Sequence, residues 1–336
     1  MNGREIEMGL TISSLNEKIL KLLRETSGDY LSGNSVADHL AISRSTVWKY
    51  VVALRKRGYE IEAHPHLGYR LISSPDLLYP EEVRYGLQTS IMGRWILCYQ
   101  RVRSTNALAL QIAQQGASEG TLVVAEEQTA GRGRLGRLWY SPPGVGLWAS
   151  LILRPHMPPS RVFHLAICGA LAVAETVYQT THLPVRVKWP NDVLVRGKKL
   201  SGVLTETQAD LDSVHFVILG VGINVNHRSQ DFPEDLRSKA TSIRLELGRS
   251  ISRLGLLRDL LLKFEEMYGL FQEQGLVPFL DRWRQLSWIL GRRVMVHIGE
   301  RIFSGQAVDI EETGALVLEE TSGKRRRLLA GDVSFQ

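Results

Sequence analysis

Gly131 to Arg137 reads GRGRLGR, three arginines and three glycines in seven residues with no acid among them. Glycine at every second or third place lets a backbone come close to a ligand and turn its N–H groups toward an anion. Arginine adds planar, permanently charged forks that fit carboxylate and phosphate oxygens. The segment therefore suits a flat, anionic ligand. It is not a Walker A loop, because no GK[ST] follows, and its formal GxGxxG is crowded by arginine and lacks a ribose-binding acid. Taken alone, a Gly/Arg loop also fits RNA or a solvated turn, so its neighbours must decide.

Lys188 to Asp192 reads KWPND and closes the alternating run VRVKW, where Pro190 ends strand pairing. A lysine on a half-buried strand is costly unless it meets an anion, so Lys188 is a candidate to neutralise a carboxylate or phosphate. Asn191 and Asp192 either orient Lys188, assist magnesium, or simply form the turn after Pro190. The runs KKLSGVLTE and GVGINVN place Gly202, Gly220 and Gly222 inside strands. Glycine there marks close approach of a ligand or another backbone, although packing alone accounts for any one of them. Cys98 and Cys168 lie in apolar stretches without a CxxC partner, which excludes a disulfide framework or zinc site and reads as two buried small hydrophobes.

These residues need a scaffold. From about Trp95 to Trp288, strand-like and helix-like runs alternate as in an α/β domain. TLVVAE, GLWASLIL, VRVKW, SGVLTE and HFVILGVGINVN read as strands; SRVFHLAICGALAVAETVYQTT, GLLRDLLLKFEEMYGLFQEQG and FLDRWRQLSWIL read as helices. NHRSQDFPEDLRSKATS is polar and carries a proline, a surface loop. From Arg292 the period returns to two, predicting a small all-β tail domain whose KRRR, Lys324 to Arg327, reads as a solvated edge.

The N-terminal stretch has another design. Leu15, Ile19, Leu22 and Leu23 recur at helical spacing, with Glu17 and Lys21 as an i,i+4 pair. SGNSVADHLAIS predicts a second helix ending near Ala41, and SRSTVWKYVVALRKRG a third, capped by Ser43 and stopped by Gly58. Val47, Tyr50, Val51 and Leu54 form its apolar stripe, and YEIEAHPHLGYRLI adds a two-stranded wing. Five basic residues and no acid lie between Arg44 and Arg57. A helix-turn-helix from about Gly33 to Val52 would present Arg44, Ser45, Thr46 and Lys49 to bases or phosphates, with Arg55, Lys56 and Arg57 on the DNA backbone. The competing reading is an interaction module with a solvated basic face.

The chain of 336 residues, 44% hydrophobic and 23% charged, is long enough for two to three folded domains. Its net charge of +6 favours anionic partners without naming one. No window approaches about 18 uninterrupted apolar residues, and acids stand where a signal peptide would be basic and apolar, so the expectation is a cytoplasmic protein without membrane association. The expected division is an N-terminal tail over 1–14, a winged helix-turn-helix over 15–75, a catalytic domain over 80–288 and the β domain over 289–336.

In this order and spacing, RSTN, EEQTAGRGRLGRLW, KWPND, KLSGVLTE and GVGINVN resemble the catalytic domain of biotin protein ligases, with every motif position matched. With a winged helix in front and a β tail behind, the resemblance covers nearly the whole chain and points to the bifunctional bacterial form, which is both biotin operon repressor and biotin-[acetyl-CoA-carboxylase] ligase. It implies an α/β (α+β) multidomain fold whose core is similar to lipoate ligases and class II aminoacyl-tRNA synthetases, ending in a small SH3-like β-barrel.

The resemblance also implies chemistry. Biotin and ATP with Mg2+ would give biotinyl-5'-AMP and pyrophosphate, and a lysine of a biotin carboxyl carrier protein would then attack the mixed anhydride. Arg134 and Lys188 are the catalytic candidates carried over. Ser104, Thr105, Asn106, Gln128, Arg132 and Gly133 join them around biotin, with the first four lining the ureido ring. Arg137, Asn191, Gly220, Gly222 and Asn224 are carried over to the nucleotide, and no fixed metal site is implied. Biotin operator DNA and a ligand-promoted homodimer are the remaining implied partners. Two alternatives on the same core are a ligand-sensing regulator without ligase activity, and lipoate ligation.

Overall fold

The computed structural model describes residues 15–335 and divides into two compact units, the first ending at Tyr85 and the second starting at Gly86. The expected tail over 1–14 lies outside the described residues.

In the first unit, α1 (15–25), α2 (Gly33–Leu40) and α3 (Arg44–Lys56) close on Ile19, Leu20, Leu23, Val36, Val47, Val51 and Leu54. Ser32 and Ser43 cap α2 and α3, each accepting a backbone N–H three residues on, from Ser35 and Thr46. Capping turns the chain sharply between the helices, as a helix-turn-helix needs. The wing is the antiparallel pair β1 (Glu60–His64) and β2 (Gly68–Ser73). A fourth helix, α4 (Pro80–Arg84), belongs to this unit too. Its Glu81 pairs with Arg57 at 2.6 Å, and Glu82 takes Arg24 at 2.5 Å and the Tyr59 hydroxyl at 2.6 Å. These buried acids tie residues 80–84 to the first compact unit, and the second begins at Gly86.

The second unit is built on one mixed sheet. Its elements in chain order are β3 (Ile96–Val102), α5 (Thr105–Gln114), β4 (Leu122–Arg132), β5 (Leu138–Ser141), β6 (Gly146–Leu153), α6 (Val162–Thr181), β7 (Val185–Lys188), β8 (Asp192–Val195), β9 (Lys198–Ala209) and β10 (Val214–Asn224). The strands lie in the order β3-β4-β6-β10-β9-β8-β7, with β5 added beside β4. Among the described residues β3 and β4 are the one parallel strand pair of this sheet and its other strand pairs are antiparallel, which places the domain at the α+β end of the expected class.

Short helices α7 (Glu234–Arg237) and α8 (Ile243–Leu247) follow, then α9 (Arg253–Gln274) and α10 (Val277–Leu286). Val123, Ile152 and Ile218 face α5, while the alternate residues Leu122, Leu151 and Leu219 gather with Leu257, Leu260 and Phe264 of α9. Helices on both faces explain why every residue of β6 is buried and its sequence is continuously apolar. By length and composition α6 could cross a membrane, but 78% of its apolar window is buried inside the domain, so it is a core helix.

The chain ends in β11 (Arg293–Ile298), β12 (Arg301–Ile310), β13 (Leu316–Glu319), β14 (Arg325–Leu328) and β15 (Asp332–Phe335), an antiparallel sheet of order β14-β13-β12-β11-β15. The small all-β tail is therefore present, as a sheet whose hydrogen-bonded path runs from β14 to β15. Arg325, Arg326 and Arg327 on β14 pair with Glu319, Glu320 and Glu311, so most of the KRRR charge is neutralised in place.

Candidate functional site

GRGRLGR is the tip of a hairpin. β4 carries the chain out to Arg132, a tight turn at Arg134–Gly136 reverses it, and β5 brings it back with Arg132 opposite Leu138 and Gly131 opposite Trp139. Leu135 and Gly136 both take left-handed backbone angles, φ 56° and 73°. The strand β5 was not foreseen, because four residues after a charged turn carry too little periodicity to declare themselves. Nor was α5, which begins at the RSTN motif and is capped by Ser104 accepting from the Ala107 N–H at 3.4 Å.

Beside this hairpin is a cavity of ≈ 230 Å³. Ser104, Thr105, Asn106, Gln128, Arg132, Gly133, Arg134, Arg137, Asn191, Gly220, Gly222 and Asn224 all line it. Residues drawn from separate segments between Ser104 and Asn224 thus share one space. Lys188 is the exception among the carried-over residues, for it does not line the cavity. It stands on β7 opposite Asp192, which does. Burial pushes the Lys188 ammonium below the usual lysine range; Asp192 and Asp332 oppose that shift, while Lys199 and Arg137 reinforce it.

One end of the cavity is polar and uncharged. The Thr105 N–H donates to Gln128 Oε1 at 2.8 Å, and Gln128 Nε2 donates to Ser141 Oγ at 2.9 Å. Ser150 Oγ lies 2.6 Å from Asn106 Oδ1 and 2.8 Å from Thr105 Oγ1. Gly220 is required here: a Cβ on it would sit 2.0 Å from Asn106 Oδ1. Gly222 serves Trp139 in the same way, since its Cβ would lie 2.5 Å from the indole Nε1. Both glycines thus make room for side chains of the site itself, rather than marking only the approach of a ligand or a backbone.

The other end is charged. Arg134 donates to Asn191 Oδ1 at 3.3 Å and to the Gly331 carbonyl at 3.1 Å, and lies 3.5 Å from Asp332 Oδ1. Arg137 meets the other Asp332 oxygen at 2.5 Å. Asn191 is itself held by donating to the Val203 carbonyl at 2.6 Å, and Asn224 by donating to that of Thr241 at 3.0 Å. Lys199 bonds Asp192 at 2.7 Å and sits 5.3 Å from the centre of the Trp139 ring. Trp139, Lys199 and Asp332 were missed by the sequence reading. Trp139 stood inside the quoted motif unremarked, and nothing near Asp332 in the chain announces that it faces two arginines.

The segment expected as a plain surface loop, 226–242, also borders the cavity, through Phe232, Leu236, Lys239 and Ala240. His227 within it is fully buried, stacked on Phe232 at 4.8 Å and edge-on to Trp148 at 5.8 Å, with neither ring nitrogen hydrogen-bonded. Burial lowers its pKa to about 4.

In the first unit Arg44, Ser45 and Lys49 are exposed at the start and outer face of α3, with Trp48 beside them at 57% exposure. Ser45 and Thr46 share hydrogen bonds with the capping Ser43 hydroxyl, each at 2.8 Å. Of the three cations expected on a DNA backbone, two are engaged within the protein. Arg55 Nε donates to the Ile61 carbonyl at 2.8 Å, and Arg57 pairs with Glu81 while stacking 3.9 Å over Tyr79. Within the fold they brace the wing and α4.

Comparison with known proteins covers all three parts. Residues 98–224 match the Biotin/lipoate A/B protein ligase family, residues 16–70 an HTH domain, and residues 289–336 the Biotin protein ligase C terminal domain. The bifunctional ligase/repressor BirA of Bacillus subtilis is 40% identical over 314 residues, covering 94% of this chain and 97% of that protein. Its Escherichia coli namesake is 30% identical over 319 residues, covering 95% and 96%. Among solved structures, a biotin protein ligase from Aquifex aeolicus in complex with biotin and ATP superposes with a TM-score of 0.63 at 32% identity, covering 72% of this chain and 98% of that one. The hairpin of arginines over a part-neutral, part-charged cavity, the helix-turn-helix and the similarity along almost the full length together place this chain in the family of bifunctional biotin protein ligases and repressors.

Proposed function

We infer that this protein activates biotin with ATP, transfers it to a lysine of a carrier protein, and represses transcription through its winged helix. The observation that carries the ligase reading is the one cavity that collects the RSTN, GRGRLGR and GVGINVN segments, neutral at one end and cationic at the other. A ureido ring is uncharged and needs paired donors and acceptors, which the Thr105, Asn106 and Gln128 end offers. A carboxylate and a triphosphate repel one another, so their union needs fixed cations, which the Arg134 and Arg137 end offers.

In the first step a biotin carboxylate oxygen attacks the α-phosphorus of ATP and the bond to pyrophosphate breaks. Arg134, held on three sides by Asn191, Gly331 and Asp332, stabilises the charge that develops at phosphorus. Arg137 keeps most of its guanidinium exposed and takes the departing phosphates. Lys188 adds positive charge from the β7 position opposite Asp192, and Trp139 gives the adenine a face to stack on. Magnesium arrives with the triphosphate: among the described residues no cluster of three His, Cys, Asp or Glu forms a metal cage, and Asp192 and Asp332 are the two carboxylates that line the cavity. In the second step the carrier's lysine amine attacks the acyl carbon and AMP leaves. Leu135 and Leu138, 74% and 81% exposed, cover the adenylate when the hairpin tip closes, which keeps water from the anhydride.

For repression, Arg44 and Lys49 enter a major groove and biotinyl-5'-AMP favours a homodimer that matches a two-fold operator. The setting is the cytoplasm, where ATP, promoter and carrier meet. The test is a gel shift on the protein's own biotin-gene promoters, run beside biotinylation of a biotin carboxyl carrier domain. Operator binding that strengthens with biotin and ATP, and label on the carrier lysine, is expected; a carrier left unlabelled removes the ligase half, and ligand-independent operator affinity removes the regulatory half.

A further inference from the structure

Glu206 closes the KLSGVLTE run on β9, where no role was assigned to it, yet it touches both the neutral pocket and the arginine hairpin. Its Oε2 accepts from Asn106 Nδ2 at 2.8 Å, and its Oε1 meets Arg132 Nη1 at 3.4 Å. The Arg132 pair is more than half exposed on the arginine side, so screening leaves it weak. The bond to Asn106 is different, because Asn106 is buried at 4% exposure and its donor meets a charge.

An asparagine amide can sit either way round, and only its partners decide which. Ser150 cannot decide, since a hydroxyl both donates and accepts. Glu206 can: as a carboxylate it only accepts, and the reversed amide would set Asn106 Oδ1 against it, oxygen to oxygen. The carboxylate therefore fixes Asn106 Nδ2 outward and Oδ1 inward, and Oδ1 in turn orients the Ser150 hydroxyl at 2.6 Å. Gly220 leaves the room without which the amide could not lie there at all.

We propose that Glu206 is a positioning residue of the biotin subsite, setting Asn106 as a hydrogen donor toward the cavity and so selecting a ring that presents a carbonyl acceptor there. This rests on the biotin reading of the cavity. With glutamine at 206 the partner offers an acceptor and a donor alike, so both amide orientations become allowed and the donor face is no longer enforced.

The test uses the full chain and biotin alone, titrated by calorimetry, followed by the KM and kcat of adenylate formation. Glu206→Gln should weaken biotin binding about tenfold, the worth of one hydrogen bond to a charged group. KM for ATP and kcat should change less than about twofold, because the Arg132 pair that the substitution also weakens is exposed and screened, while Arg134 and Arg137 keep Asp332. In an Asn106→Ala background the same substitution should cost biotin affinity less than about twofold, since Glu206 acts through Asn106. Additive losses, or equal losses for biotin and ATP, overturn the proposal.

A second readout needs no ligand. The Asn106 side-chain NH2 resonances, identified by their absence in Asn106→Ala, should shift in Glu206→Gln, and unchanged resonances also overturn the proposal. If the wild-type chain bound no biotin while those resonances still depended on Glu206, the biotin reading would fail and the positioning role would stand.

Discussion

Two short segments of this chain each carry three arginines, and the fold treats them in opposite ways. On β14, Arg325, Arg326 and Arg327 meet Glu319, Glu320 and Glu311, one acid for each cation, at 3.0, 2.7 and 2.7 Å. At the β4–β5 hairpin tip, Arg132, Arg134 and Arg137 share two acids, Glu206 and Asp332, and line a cavity. Asp332 holds two arginines at once from a strand of the C-terminal sheet. A run of basic residues is thus a binding element only where the fold supplies fewer acids than cations and leaves a space for the missing anion. Both segments carry three arginines and no acid of their own; the supply of partner acids differs.

The sharpest way to break this contrast is Arg134→Ala. It removes a cation with three protein anchors at the reacting end of the cavity, so adenylate formation should fall about 10²–10³-fold while the thermal unfolding midpoint stays nearly unchanged. A loss below about threefold would place Arg134 with the arginines of β14.

Next in size is pH. Burial lowers the Lys188 pKa from 10.5, so its charge is lost at a pH below that of an exposed lysine. Adenylate formation should then decline on the alkaline side at a pH under 10.5, about tenfold per pH unit beyond the turn, and Lys188→Arg should remove that limb. A rate that holds steady through the lysine range would detach Lys188 from the chemistry.

Asp332→Asn leaves both hairpin arginines present but unheld by charge. KM for ATP should rise about threefold, a modest effect because Arg137 is mostly solvated. The smallest effect belongs to the other segment. Arg325→Ala, Arg326→Ala and Arg327→Ala together should leave biotin and ATP kinetics within about twofold of wild type, each surface pair contributing no more than about 1 kcal/mol to stability.

His227 offers a control on the scaffold. Its imidazole is neutral in the fold with a pKa of about 4, against about 6.5 when unfolded. The unfolded chain binds the extra proton, so stability rises with pH between about 4 and 6.5 and is lost on acidification through that window. Urea titrations of wild type and His227→Phe across that range should show stability rising more steeply with pH in the former.

Much of this was readable in advance where a signal is local. Ser43 and Gly58 bracket α3 by capping chemistry, the apolar run of β6 announces a strand covered on both faces, and GRGRLGR declares its affinity for anions in seven letters. The unread parts depend on distant partners. Arg132 and Glu206 are 74 residues apart, and Arg134 and Gly331 are 197 apart, so no spacing rule links them. Arg55 and Arg57 looked free in a basic helix, but their partners, Ile61 and Glu81, are set by how the wing and α4 pack. Gly220 and Gly222 were visible as odd residues in a strand, yet only the fold shows Asn106 and Trp139 lying over them.

The most direct measurement is biotin-dependent exchange of labelled pyrophosphate into ATP, run side by side on wild type, Arg134→Ala and the β14 triple alanine variant. Exchange should require biotin and ignore lipoate, and should be lost in Arg134→Ala and kept in the triple variant. Equal exchange in the two variants, or exchange supported by lipoate in place of biotin, would contradict this expectation.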